Sequence, residues 1–179
     1  MQRAGIAGTD ERFRKNYGIR RDTTLLGCGK NVIGPDGIRL EPFVVSGVQF
    51  NRASTGSTGR AISVSHSARL RFRLPADARM ANVTLFLRSQ NNPVTHTGQR
   101  AIVSWDGRKV SDAFVDGSSM RALTVKFPGN SEPKTADLRV DAPEAWQPRE
   151  LGTSADFRRF GFYFDSIEID VGCAQRDSK

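Results

Sequence analysis

The segment WQPRELGTSADFRRFGFYFDSIEI, residues 146–169, decides the fold of this chain. It begins as a proline-containing loop and passes through a Gly/Ser turn. It ends in a run where aromatic and apolar side chains alternate with polar ones, and it is the densest aromatic segment of the chain. Such alternation after a turn is typical of a strand with one buried face. The segment therefore predicts a loop followed by a last long strand over residues 159–169.

The same period of two recurs upstream of this segment. ARLRFRL, residues 68–74, places apolar side chains on one face of a strand and a row of three arginines on the other. NVTLFLRS, residues 82–89, alternates in the same way, and turn signals such as Asp106-Gly107 stand between the runs. About nine or ten strands, separated by turns at intervals of roughly 8–15 residues, predict an all-β fold, an antiparallel β-sandwich of jelly-roll type.

Length and composition are those of one domain. The chain has 179 residues, of which 37% are hydrophobic, and a chain of this length can bury a real core. No window approaches the roughly 18 consecutive apolar residues of a membrane span, and the N-terminus has no apolar signal region. We assign residues 1–22 to a basic arm or linker and residues 23–179 to the jelly-roll domain.

The chain is basic, with Lys+Arg 27 against Asp+Glu 19 and a formal net charge of +8. This balance favours anionic partners such as nucleic acid, anionic lipid or acidic glycans, and it is equally typical of an ordinary soluble surface. No long run of like charges appears, so we expect no dedicated nucleic-acid tail and no specific nucleic-acid partner.

The two cysteines, Cys28 and Cys173, lie at opposite ends of the predicted domain, each directly after a glycine. Chain termini are often close together in a domain, so a disulfide joining the first strand to the last is one interpretation. It would indicate an oxidising, extracytoplasmic compartment. The alternative is a pair of unbonded small core residues.

Catalytic and metal-binding patterns are not evident. His66 and His96 stand in no metal-ligand spacing, and nucleotide-loop and hydrolase motifs are missing, so we expect no catalytic residue, no metal and no cofactor. Glu168 and Asp170 share a strand face roughly 7 Å apart, a separation that an inverting glycosidase could use. Adjacent outward carboxylates are more often a solvated face.

Surface recognition is the better hypothesis for a β-sandwich rich in polar loops. Sugar rings stack on aromatic faces, and their hydroxyls need fixed hydrogen-bond partners, while arginine binds carboxylate or phosphate bidentately. The loops at residues 51–60 and 90–98 supply amides and hydroxyls. Both tryptophans could instead pack in the core at the sandwich ends. The candidate ligand-binding residues are Trp105, Trp146, Arg52, Arg60, Arg71, Arg88, Asp156 and Arg158.

The segment at residues 146–169 also resembles the closing pattern of β-sandwich domains attached to bacterial extracytoplasmic glycan enzymes. These include membrane phosphoglycerol transferases and polytopic glycosyltransferases. Residues 37–43 and 67–75 are similar to the same family, whereas residues 51–59 form a longer loop in place of its Trp-Ser-x-Gly turn. The matching residues of the closing pattern are Pro148, Glu150, Gly152, Ser154, Asp156, Arg158, Gly161 and Ile167.

This resemblance implies a non-catalytic carbohydrate-recognition or scaffolding module of a bacterial cell-envelope polysaccharide system. Its partners would be a glycan, which could be anionic, and another domain of a longer parent chain or an envelope protein. Its location would be periplasmic or on the cell surface. Two alternatives stay open: a structural jelly roll of the phage or capsid type, and a polysaccharide lyase or hydrolase on a β-sandwich. A charge-assisted pair between Asp156 and Arg158 is also expected to lock the turn before the last strand.

Overall fold

The computed structural model describes residues 25–34, 37–51, 60–63, 65–116, 121–128 and 134–174. Apart from one short 3-10 helix, Glu41–Phe43, the regular structure in these residues is all strand. The strands are β1 (Gly29–Ile33), β2 (Val44–Ser46), β3 (Val48–Asn51), β4 (Arg60–Ser63), β5 (Ser67–Leu74), β6 (Ala78–Ser89), β7 (Gln99–Trp105), β8 (Arg108–Val115), β9 (Arg121–Pro128), β10 (Lys134–Asp141) and β11 (Phe162–Cys173).

The strands form two antiparallel sheets. The six-stranded sheet has the order β3-β4-β11-β6-β9, and β1 also pairs with β11. The five-stranded sheet has the order β2-β5-β10-β7-β8. The predicted antiparallel β-sandwich of jelly-roll type is therefore confirmed. The strand that closes the sequence pattern, β11, lies in the middle of the larger sheet and pairs with β6 along most of its length.

The core lies between the two sheets and follows the alternation in the sequence. In β5 the residues Leu70, Phe72 and Leu74 are buried, and the intervening arginines are exposed. The same alternation holds along β6 and β11, where Leu85 and Ile167 are fully buried. Alternate residues of these strands are therefore buried, as expected for strands with one solvated face.

The chain crosses from one sheet to the other at Gly47. This residue separates β2 from β3, which belong to different sheets although they are close in sequence. Gly47 has φ +74°, and a Cβ there would lie 2.0 Å from the carbonyl oxygen of Ser67. Only glycine fits this left-handed position, so the chain crosses between the sheets at this residue.

The disulfide between Cys28 and Cys173 is present, with the two Cα atoms 5.7 Å apart. It joins the residue before β1 to the end of β11, so the bonded interpretation of the two cysteines holds. The predicted arm, residues 1–22, lies outside the described residues. No helix in the described part of the chain is long and apolar enough to cross a membrane.

Candidate functional site

The corner loop, which we define as residues 142–161, connects β10 to β11 across one end of the sandwich. Short backbone hydrogen bonds fold it on itself: the N–H of Gly152 donates to the carbonyl of Arg149 and the N–H of Thr153 to that of Pro148. The N–H of Arg149 also donates to the carbonyl of Asp156 across the loop, at 3.2 Å. These bonds make the loop a defined structural element that can hold side chains in fixed positions.

Asp156 and Arg158 brace the second half of the corner loop. The Arg158 Nε lies 2.9 and 3.0 Å from the two carboxylate oxygens of Asp156, and the Arg158 backbone N–H donates to the same carboxylate. The Nη1 of Arg158 donates to the Oε1 of Gln49 on β3, 2.8 Å away. The predicted charge-assisted pair is therefore present, and it also ties the loop to the edge of the six-stranded sheet.

Two aromatic rings, tilted by 39° against each other, lie next to this pair. The Trp146 and Phe160 rings are 5.2 Å apart, and the Arg158 guanidinium is 5.4 Å from the Phe160 ring. The indole N–H of Trp146 donates to the carbonyl of Gln90, at 2.8 Å. Trp146 is half-buried, so it anchors the loop by its ring and its N–H together and is not a free stacking surface.

A buried glutamine forms the floor of the corner loop. Gln99, the first residue of β7, is 1% exposed, and its Nε2 lies 2.6, 2.9 and 3.1 Å from the carbonyl oxygens of Gln90, Gly161 and Phe160. It thus connects the start of the 90–98 loop to the residues that lead into β11. The Nε2 group of Gln99 gives buried backbone carbonyls a hydrogen-bond donor, which explains why a glutamine stands in an otherwise apolar strand face. Its Oε1 is buried with no hydrogen-bond partner among the described residues.

Phe157 is the exposed aromatic ring of this loop, and the sequence reasoning missed it. Its side chain is 66% exposed, and the Arg149 guanidinium covers the ring at 4.5 Å. The Nε2 of Gln147 donates to the Phe157 backbone carbonyl at 2.7 Å, which holds the residue in place. Phe157 lies just before the strand predicted over residues 159–169, and no role was assigned to it. Only the structure shows that its ring, on the returning arm of the loop, is exposed to water.

Trp105 was predicted as a possible platform for a ligand, and the structure contradicts that role. Its side chain is 4% exposed, and its ring lies parallel to that of Phe72 with centroids 6.2 Å apart. A ring enclosed in the core cannot stack on a sugar. The period of β7 explains the burial, because Trp105 shares the inward face of that strand with Ala101 and Val103.

The predicted arginines do not meet at one site. Arg71 lies on the outer face of the five-stranded sheet, where it binds Asp137 through two hydrogen bonds. Arg88 lies on the outer face of the other sheet, 3.6 Å from Asp165 and over the Tyr163 ring at 4.9 Å. Arg60 begins β4, but its side chain lies outside the described part of the chain, as does all of Arg52. The corner loop brings together Trp146, Asp156 and Arg158.

The carboxylates considered for catalysis belong to a sheet face. Glu168 forms an ion pair with Lys30 of the neighbouring strand β1, at 3.0 Å, and Asp170 lies opposite Lys30 in the register of the two strands. His66 and His96 are both exposed. This arrangement agrees with the solvated-face interpretation of Glu168 and Asp170.

The Asp156–Arg158 pair makes a testable electrostatic prediction. Hydrogen bonds from the Arg158 side chain, and then from its backbone N–H, lower the pKa of Asp156 from 3.8 to about 2. Because the folded-state pKa is lowered, the stabilising contact is complete above the ordinary carboxyl pKa and is lost as pH falls towards about 2. We expect an NMR titration of the Asp156 carboxyl to have its midpoint near 2. The Arg158→Gln variant should bring that midpoint back towards the ordinary value, and an unchanged midpoint in the variant would contradict the assignment.

Among known proteins, this chain is similar to solved structures in fold, and the other comparisons found no match. No family model matches the chain, and no curated protein matches it. The structure is similar to the Podospora anserina GH26-CBM35 β-(1,4)-mannanase (15% identity, TM-score 0.49), covering 84% of this chain and 29% of the mannanase chain. It is similar to the CBM36-1 domain of a multidomain xylanase from the hindgut metagenome of Trinervitermes trinervoides (14% identity, TM-score 0.48), covering 82% of this chain and 99% of that domain. It is also similar to a family 35 carbohydrate binding module from Clostridium thermocellum (9% identity, TM-score 0.48), covering 79% of this chain and 98% of that module. At these identities and scores, the likenesses say nothing about what this chain binds.

Proposed function

We propose that this chain is a non-catalytic carbohydrate-recognition module and that the corner loop is its binding site. The observation that carries the proposal is the Phe157 ring, 66% exposed on a loop that is itself braced by ion pairs and hydrogen bonds. A rigid exposed ring suits a sugar, because the apolar face of a pyranose stacks on it without ordering the protein further.

The side chains beside Phe157 supply the polar half of such a site. The Arg149 guanidinium lies against the Phe157 ring. In the sequence, Asp156 comes directly before Phe157 and Arg158 directly after it. Carboxylates accept hydrogen bonds from hydroxyls, and guanidinium groups donate to ring or hydroxyl oxygens. The site is thus able to fix the orientation of a sugar that the aromatic ring holds by its face.

We place this module in a bacterial cell-envelope polysaccharide system, outside the cytoplasm, alongside another domain or envelope protein. The disulfide between Cys28 and Cys173 supports an oxidising compartment, since such bonds persist there and are rare in the reducing cytosol. The envelope setting rests on the resemblance of the corner-loop segment to accessory domains of extracytoplasmic glycan enzymes.

The test is binding to a panel of neutral and anionic envelope glycans, with a DNA duplex as control and at two salt concentrations. We expect saturable binding to one glycan class that survives the higher salt. Phe157→Ala should weaken it by about tenfold or more, because losing a stacking ring costs roughly 1–2 kcal/mol. Phe157 is exposed, so the free energy of unfolding should change little.

Phe114→Ala is the matched control, since Phe114 is also exposed, at 54%, but belongs to strand β8 and not to the corner loop. The affinity of the Phe114→Ala variant for a neutral glycan should equal that of the parent chain. Equal affinity of Phe157→Ala and the parent would reject the corner loop as the site. Lack of binding to every glycan, with self-association in light scattering, would instead support an assembly role.

A further inference from the structure

The outer face of the five-stranded sheet carries more positive than negative charge. Its described outward side chains include six cations and three carboxylates, so the two signs do not balance. Asp137 accepts hydrogen bonds from both Arg69 and Arg71, and Asp112 from both Arg100 and Lys109. The cations are Arg69, Arg71, Arg73, Arg100, Lys109 and Arg139, and the carboxylates are Asp112, Asp137 and Asp141.

One row across this face concentrates the excess charge. Arg69 on β5 lies directly opposite Arg139 on β10, Arg139 lies opposite Ser104 on β7, and Ser104 lies opposite Lys109 on β8. Like charges directly opposite each other in a sheet are destabilising. Neighbouring strands are about 4.8 Å apart, so this row of three cations and one hydroxyl spans roughly 14 Å across the sheet.

We propose that this cationic row is a second binding surface, separate from the corner loop, and that it takes a linear acidic polysaccharide of the polyuronate type. Carboxylates of the polymer would lie over Arg69, Arg139 and Lys109. Each of these cations already has one protein carboxylate beside it, Asp137, Asp141 and Asp112 respectively, so the polymer would neutralise the excess of cations over carboxylates on this face. Hydroxyls of the same polymer would donate to Asp137 and Asp141, which flank Arg139 on β10.

The mixed chemistry of the face favours a polyuronate over the other polyanions. The backbone of DNA has no hydroxyl to donate to the interspersed carboxylates. Single-stranded nucleic acid, RNA included, needs successive aromatic rings on which bases stack. Among the described outward side chains of this sheet, Phe114 at the rim is the exposed aromatic ring. The hydroxyls of anionic lipid headgroups do not repeat along one line, whereas those of a polyuronate recur at every sugar.

The test compares polygalacturonate with its fully methyl-esterified form, using the whole chain in isothermal titration calorimetry. We expect the charged polymer to bind through this face and the esterified one to bind it far more weakly. The double variant Arg69→Gln/Arg139→Gln should lose about tenfold or more in affinity, because each removes a charge-assisted contact. The stability of the fold should change by less than about 1 kcal/mol. The variant loses two exposed ion pairs, Arg69 with Asp137 and Arg139 with Asp141, but it also loses the like-charge pair. Arg71 still binds Asp137.

The matched control is Lys30→Gln/Arg79→Gln, which removes the same charge from exposed positions of the six-stranded sheet. We expect its affinity for polygalacturonate to stay within about twofold of the parent chain, as exposed charges remote from a contact are largely screened. Equal losses in both double variants would mean that net charge explains the binding, and would overturn the proposal. An unchanged Arg69→Gln/Arg139→Gln affinity would overturn it as well.

Two further probes decide the class of partner. If a DNA duplex, or vesicles of equal phosphatidylglycerol and phosphatidylcholine, bind more tightly than polygalacturonate and lose affinity in the Arg69→Gln/Arg139→Gln variant, the polyuronate assignment is wrong. Neutral-glycan binding at Phe157 does not involve this face, so that proposal and this one can fail separately.

Discussion

Replacing both cysteines, Cys28→Ala/Cys173→Ala, is expected to lower the free energy of unfolding by about 5 kcal/mol, the value of the chain-entropy model for a loop of this length. The bond joins residues 145 apart in sequence, so it excludes most of the extended conformations of the unfolded chain. Single domains are typically stable by about 5–15 kcal/mol, so this loss would leave a marginal fold.

The measurement is chemical denaturation of the parent and the double variant, followed by fluorescence. Reducing the parent chain with dithiothreitol is the control, because it breaks the cross-link and leaves the cysteine side chains in place. Both samples should lose the same stability if the cross-link is the cause. A loss below about 1 kcal/mol would show that the unfolded chain is already compact, or that the two sulfurs are not bonded in solution.

Trp105→Ala is expected to destabilise the fold by about 3–5 kcal/mol, the usual cost of truncating a buried large aromatic residue. The ring fills the space beside Phe72, which itself packs on Phe43 with centroids 5.1 Å apart, so its removal leaves a cavity in the middle of the aromatic core. Glycan affinity of the folded fraction should be unchanged, because the ring does not reach the surface.

The control for this prediction is Trp105→Phe, which keeps an aromatic ring in the same space and should recover most of the lost stability. Denaturation reports the stability, and binding measured well below the unfolding midpoint reports the affinity. Loss of glycan binding with a stable fold would reverse the assignment and restore Trp105 as part of a ligand site. Trp105→Ala and Phe157→Ala together thus separate the core role from the surface role of the aromatic residues.

Local pattern was sufficient for most of the fold because strand burial is encoded by adjacent residues. The alternation in residues 68–74 and 82–89 correctly assigned the inward and outward faces of β5 and β6. The Asp106-Gly107 turn also formed as predicted between β7 and β8, with positive φ at both residues. The change of sheet at Gly47 was not predicted, because a single glycine between two short strands does not show which sheet each strand joins.

The candidate site was predicted less completely, because a binding surface depends on which separate segments meet. Asp156 and Arg158 were recognised because their pairing is local, two residues apart. Phe157 between them was not, since the sequence does not show whether an aromatic side chain in a loop packs inward or faces water. Trp105 was given a surface role that its strand period argued against.

The sequence by itself determined the all-β architecture, the identity of the core faces and the brace within the corner loop, because these depend on neighbours along the chain. Only the tertiary structure decided that Cys28 meets Cys173, that Gln99 supports the corner loop, and that Arg69 and Arg139 lie opposite each other. These contacts join residues 62–145 positions apart. Such contacts arise from the order in which strands assemble into sheets, which the periodicity of any single strand does not specify.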